Sequence, residues 1–361
     1  MADSVVLAQP RRTSLPWQVL GMVPGVLLLL GVGYAGKLTE RATTRIAETY
    51  HLPLPEIEYV LWAILLGLAI SNTVGVPAIF RAGAATYEFW LKAGIVLLGA
   101  RFLMGDLLHL GGISLGLVFI EVIFSLVFMT LLGRGFRLRP KLVSLLAIGS
   151  SICGVSAILA TQSAIDADEE DVSCAVAAIL ALGAISLVLF PLIGHALHLS
   201  DRAYGLWAGL AVDNTAESTA AGAIYSDAAG KMAVLAKTCR NSLIGFAVLG
   251  YAAWWASRGQ AERVTNKAAF LWRKFPKFIL GFLLISLLAS VGFFTRAQAV
   301  SIGNLSRWAF LLAFAGVGLR SNLRELGKQG ARPFIVGLIG EIAIATITLA
   351  MVYGTAQLFH L

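Results

Sequence analysis

Apolar residues run along this chain in long continuous blocks, separated by short polar stretches. The blocks fall at approximately 16–36, 57–75, 87–104, 112–132, 142–162, 172–195, 204–224, 232–255, 277–294, 303–319 and 333–355. A helix needs about 20 apolar residues to cross a hydrocarbon layer. The blocks have that length and lack the alternating, roughly ten-residue rhythm of membrane-barrel strands. The pattern therefore predicts an all-α polytopic membrane protein with about eleven transmembrane helices.

The polar stretches carry the charge, and its sign orients the helices. Arg11 and Arg12 precede the first block. Arg134, Arg137, Arg139 and Lys141 follow the fourth, Arg258, Arg263, Lys267, Arg273, Lys274 and Lys277 the eighth, and Arg320, Arg324, Lys328 and Arg332 the tenth. With eleven spans all these clusters share one side. That side is expected to be the cytoplasm, which puts the N-terminus inside and the C-terminus outside. The acidic loop of Asp166, Asp168, Glu169, Glu170 and Asp171 then falls outside. MADSVVLAQPRR is followed by an apolar run of span length with no clear small-residue cleavage site, so no cleavable signal is expected.

Composition agrees. Of 361 residues, 58% are hydrophobic and 13% charged, against about 25% charged in a soluble domain, and the mean hydropathy is +0.81. These values exclude a soluble enzyme, a disordered chain and a fibrous one, and leave no room for a separate soluble domain. The net charge of +8 belongs to the loops and implies no nucleic-acid partner. Cys153, Cys174 and Cys239 form no paired framework. HExxH, CxxC and P-loop signatures are lacking, and His51, His109, His195, His198 and His360 lie near loops or termini. No enzyme activity, metal site or cofactor is expected.

Two stretches resemble each other: GIVLLGARFLMGDLLHLGG from Gly94 and GVGLRSNLRELGKQG from Gly316. Their alignment matches Gly99 with Gly318, Arg101 with Arg320, Asp106 with Glu325, Leu107 with Leu326 and Gly111 with Gly330. In the span count they run in opposite directions, the mark of an inverted-repeat transporter. A weaker match links the segments from Leu145 and Leu206. The count makes those two parallel, so either the match is chance or an intervening segment is not an ordinary span.

Polar residues inside the apolar blocks nominate a site. Ser150, Ser151, Cys153, Gly154 and Ser156 sit mid-block, where a helix unwinding around Gly154 would turn N–H and hydroxyl groups toward an anion; close packing of small residues is the alternative. Asp213, Asn214, Thr215, Glu217, Ser218 and Thr219 form the strongest signal. Asp213 and Glu217 lie near one helical face, and ionisable groups at this depth usually line an ion path. They are read as proton- or Na⁺-exchange groups, with Asn214, Thr215 and Ser218 binding substrate. Pairing of either carboxylate with Lys237 or Arg240 is the structural alternative, compatible with an exchange role for the other. Lys237 and Arg240 are read as charge-balancing, and Asn72 as a helix-end cap or a ligand. Glu121 and Glu341, which follow the two repeat members, are expected to pair with Arg or Lys.

SSICGVSAI, the acidic loop and DVSCAVAAILALGAISLVLFPLIG, together with LLGLAISN, LKAGIVLLGAR, LWAGLAVDNTAESTAAG, AKTCRN and LLAFAGVGLRSNL, resemble the bacterial YeiH-type membrane proteins, usually described as sulfate exporters. The resemblance covers nearly the whole chain. It implies a multi-pass inner-membrane transporter akin to the sodium–proton antiporter and bile-acid sodium symporter fold, with broken helices crossing near the midplane. Ser151, Cys153, Gly154, Ser156, Asn72, Lys237 and Arg240 fall on family motifs. Asp213, Asn214 and Glu217 depart from the family's usual His-Asp or His-Glu-like pair and place an extra carboxylate where a titratable imidazole is usual.

The expectation is one transmembrane domain, 1–361, made of a core bundle including 142–255 and a more rigid panel. It would carry a small sulfate- or sulfonate-like oxyanion by alternating access, coupled to Na⁺ or protons, with homodimerisation through the panel left open. A sodium–proton or other cation antiporter, a channel and a non-transporting membrane binding protein are the alternatives.

Overall fold

A computed structural model of the protein describes residues 15–50, 59–102, 104–262, 264–320 and 331–359. Among these, six helices are long and apolar enough to cross a membrane, and shorter apolar helices accompany them. The chain is an all-helical, multi-pass membrane protein.

The helices fall into two groups. The first contains α1 (Leu15–Tyr50), α2 (Tyr59–Thr73), α3 (Ala78–Ala84) and α4 (Tyr87–Leu98). The second contains α5 (Met104–Gly135), α6 (Pro140–Ser151), α7 (Val155–Ile165), α8 (Glu169–Ala196), α9 (Asp201–Ala211), α10 (Thr215–Tyr225), α11 (Asp227–Ser242) and α12 (Ile244–Ser257). The short α13 (Lys267–Lys274) packs on α12. Helices α14 (Phe278–Ser290) and α15 (Arg296–Arg320) return to the first group, and α16 (Ala331–Phe359) to the second. Contacts within each group far outnumber those between them.

The blocks at 142–162 and 204–224 do not cross. A straight helix rising 25 residue steps from Lys141 to Asp166 would be about 38 Å long. Instead the Lys141 ammonium donates to the Asp166 carbonyl at 2.5 Å. Thus α6 and α7 form a re-entrant hairpin with both feet on the face where α5 ends. The second hairpin, α9 and α10, is tied the same way. Tyr204 and Tyr225 stack with ring centroids 3.8 Å apart, and Ser218 Oγ donates to the Ala208 carbonyl at 2.9 Å. Helix α8 runs between the two hairpins, so they enter from opposite faces.

Local chemistry makes the turns. Gly154 breaks the first hairpin with φ +65° and ψ −125°, a region open to glycine and strained for side-chain-bearing residues. In the second, the Asn214 side chain accepts from the Ala216 N–H at 3.3 Å and starts a new helix, as an N-cap does.

Two expectations are thereby corrected. The breaks exist, but the helices turn back at them instead of crossing, so the eleven apolar blocks do not give eleven crossings. The acidic loop shares a face with the basic loop before it: Arg139 bridges Glu170 at 2.8 Å and Asp171 at 2.9 Å. Two non-crossing blocks cancel in the parity of the count, and among the described residues Lys274 of the later basic loop returns to the first hairpin, donating to the Ala160 carbonyl at 2.7 Å. The weak match between the segments from Leu145 and Leu206 also finds its explanation, because they are the two hairpins and lie inverted. In the stronger match, Arg101 and Arg320 sit at opposite faces; Glu325, Leu326 and Gly330 lie outside the described residues, as do Arg11, Arg12, Arg263, Arg324, Lys328, His51 and His360.

Single cysteines in a background lacking the native three check this topology. Cysteines at Arg137 and Asp166 are expected to react with an impermeant maleimide from one side of the membrane, and those at Asp201 and Ala228 from the other. Labelling of positions 137 and 166 from different sides would refute the first hairpin.

Candidate functional site

The two hairpin tips meet. A Cβ placed on Gly154 would lie 3.1 Å from the Cβ of Asn214. Each tip holds one helix C-terminus and one helix N-terminus. The C-terminal carbonyls of α6 and α9 have no partners within their own helices, and here they are buried.

Two cations from α11 supply the missing donors. Arg240 gives Nε to the Ser151 carbonyl at 2.7 Å and Nη1 to the Leu210 and Val212 carbonyls at 2.6 and 3.3 Å; Nη2 reaches the Ser150 carbonyl. Lys237 Nζ donates to the Val212 carbonyl at 2.5 Å and the Asp213 carbonyl at 2.6 Å. Both side chains are fully buried. They neutralise the negative ends of two half-helices and join the tips to one helix. The alternative pairing with Asp213 or Glu217 is not what forms: Arg240 Nε lies 3.3 Å from Glu121 Oε2 on α5, the kind of partner expected of Glu121. Among the described residues, no side-chain ion pair engages Lys237.

On the other side of the tips lies a cavity of about 390 Å³, between the two helix groups. Of the residues nominated from sequence, Cys153, Ser156, Asn214 and Thr215 line it. The first turns of α7 and α10 border it, so two positive helix ends face one space. Asn241 adds an amide whose Nδ2 donates to Thr215 Oγ1 at 3.1 Å. Tyr87 and Leu91 close the cavity from α4, and Lys92, Arg273, Lys274 and Lys277 make its rim basic, with Glu88 beside them.

Other nominated residues do not line this cavity. Ser150 and Ser151 are buried behind the tip, where Ser151 Oγ donates to the Ala147 carbonyl and lies 2.8 Å from Ser125 Oγ; they contribute carbonyls to Arg240, not hydroxyls to a ligand. Gly154 forms the turn. Ser218 braces its hairpin through Ala208. Asn72 donates Nδ2 to the Leu68 carbonyl at 2.9 Å within α2. Asp213 and Glu217 are buried behind Asn214 and Thr215. The Glu217 carboxyl lies against Gly183 of α8, where a Cβ would come within 3.1 Å of it.

Sequence reasoning missed Asn241, which follows Arg240 in AKTCRN and carried that signal. It also missed the basic rim, whose residues read as ordinary loop charges. Glu341 on α16 reaches the site through Ser186, whose Oγ donates to Glu341 Oε1 at 3.0 Å, and neighbours Asp213.

The family model for conserved hypothetical protein 698 matches residues 24–337. A UPF0324 membrane protein of Nitratidesulfovibrio vulgaris is 32% identical over 96% of this chain and 99% of its own length. One from Agrobacterium fabrum is 31% identical over 98% of both chains. One from Rhodopirellula baltica is 34% identical over 82% of this chain and 57% of its own length. The chain belongs to the UPF0324 family of YeiH-like membrane proteins. No solved structure matches this family member.

Loss of the Arg240 donors would strand buried carbonyls and Glu121 together. Arg240→Met is expected to lower stability by about 3–5 kcal/mol, the usual cost of breaking a buried ion pair, read from unfolding in detergent. Adding Glu121→Gln should recover part of that loss, because it removes the stranded carboxylate.

Proposed function

We propose that the protein is a secondary transporter of a small oxyanion, sulfate- or sulfonate-like, working by alternating access in the bacterial inner membrane. The observation that carries this reading is the asymmetry of the hairpin tips. Their negative helix ends are neutralised by Lys237 and Arg240, while the positive ends of α7 and α10 border the cavity. An anion is the ligand this field favours, and Ser156, Thr215, Asn214 and Asn241 offer it hydrogen-bonding groups. Lys92, Arg273, Lys274 and Lys277 raise the local anion concentration at the mouth.

The cavity opens toward the basic face, which we assign to the cytoplasm by the charge rule. Toward the opposite face the helix groups are tied by Asp227. It meets Arg307 of α15 at 3.1 Å and Arg101, just after α4, at 3.3 Å. Release of this tie, with movement of the hairpin group against the other, would expose the tips to the outside. Asp213 and Glu217 act as exchange groups behind the anion, with protons or Na⁺ as the coupling ion. A sodium–proton antiporter is a second reading, favoured by the carboxyls buried behind the tips. It predicts stabilisation by Na⁺ with no anion effect.

Thermal unfolding of the purified protein against sulfate, sulfite and taurine, with and without Na⁺, tests the choice, since a ligand of the folded state raises its stability. At least one of these anions is expected to stabilise. Ser156→Ala and Thr215→Val should each weaken that anion by about 10- to 100-fold, the scale of one hydrogen bond to a charged group. Asn72→Ala should leave its affinity unchanged. Stabilisation by Na⁺ alone would overturn the anion reading.

A further inference from the structure

Behind the tips the buried charges do not cancel. Glu121, Asp213, Glu217 and Glu341 face two cations, Lys237 and Arg240, and all six side chains are buried. With every carboxyl ionised, this region would hold two uncompensated negative charges beside an anion cavity, an expensive arrangement at membrane depth.

The pairing pattern says where a proton goes. Glu121 has Arg240. Asp213 and Glu341 have each other where α16 packs on the second hairpin, which Trp207 Nε1 of α9 ties to the Ala345 carbonyl at 2.9 Å. Ser186 donates to one oxygen of Glu341. No protein donor among the described residues reaches either oxygen of Asp213 or the second oxygen of Glu341. The charged groups facing the pair are Lys237 and Arg240 from α11, Glu121 from α5 and Glu217 from α10. Lys237 is already engaged by backbone carbonyls, and Arg240 by carbonyls and Glu121. Two ionised carboxylates in contact are acceptors only and repel. One proton between them converts the same geometry into a hydrogen bond and removes one negative charge.

We propose that Asp213 and Glu341 form a carboxyl–carboxylate pair that binds one proton and is a proton-coupling site of the transporter, Glu341 being its unrecognised half. Asp213 directly precedes Asn214 at the cavity wall. Loss of the proton therefore puts a negative charge immediately behind the bound anion, so proton and anion bind and leave together. This coupling rests on the anion reading above; the shared proton itself does not.

Infrared difference spectroscopy on the intact protein tests the pair with no ligand present. A protonated-carboxyl carbonyl band should be present and should be lost as the pH is raised. It should vanish in both Glu341→Gln and Asp213→Asn. Ser186→Ala, which leaves the pair intact, should shift the band's frequency; this keeps the test decisive if a carboxyl variant misfolds. An absent band, a band that does not respond to pH, or one unchanged in all three variants would overturn the pair. The coupling is read from sulfate affinity against pH. If one coupled proton is bound by the pair, affinity falls tenfold per pH unit above its titration, and Glu341→Gln reduces that slope by one. An unchanged slope would overturn the coupling. If sulfate does not bind the wild-type protein at any pH, the anion reading and the coupling fail together, while the infrared result still decides the pair.

Discussion

Everything in the interior follows from one requirement: helix ends cannot be left in the middle of a membrane without partners. A re-entrant hairpin places a carbonyl-ended C-terminus and an N–H-ended N-terminus at depth, where water is scarce and an unsatisfied backbone group costs several kcal/mol. Such backbone is tolerated where protein satisfies it or where it lines a cavity. This protein does both. Arg240 and Lys237 cap the C-termini of α6 and α9, and the N-termini of α7 and α10 border the cavity. One helix, α11, therefore holds both tips in register.

That solution has an electrostatic consequence. Two buried cations lower the cost of the carbonyl ends and draw carboxyls toward them. Glu121 answers Arg240 directly. Asp213, Glu217 and Glu341 collect around the same centre without a cation each. An interior built to stabilise backbone thus sets four buried carboxyls against two buried cations. Arg240 and Lys237 are structural in what they touch, yet they set the field in which any ligand and any proton must bind.

Inverted entry of the hairpins gives the fold its approximate symmetry. The tips approach from opposite faces and meet at Gly154 and Asn214. Arg101 and Arg320, matched in sequence, lie at opposite faces and are both engaged there, one with Asp227 and the other with Tyr87 and Glu88. Glu121 and Glu341, each following a repeat member, both turn inward, but to different partners. The first meets a cation and the second a carboxyl, so the symmetry stops where α11 contributes its cations to one side of the centre.

By itself the sequence determined the solvent of this protein, the helical class and the segments at which helices break. Continuous apolar blocks, few charges and mid-block Gly, Asn and Asp are local properties, and local properties can be read residue by residue. It also singled out Cys153, Ser156, Asn214 and Thr215, which do line one cavity. Whether a broken helix crosses or turns back was decided only in three dimensions, because a hairpin leg and half a span have the same composition. The partners of Lys237 and Arg240 were equally invisible: they are backbone carbonyls, which every residue carries and no pattern marks. Glu341 looked like an ordinary repeat-flanking acid until α16 packed beside the second tip. Burial and pairing are relations between distant segments, and only the packed structure sets them.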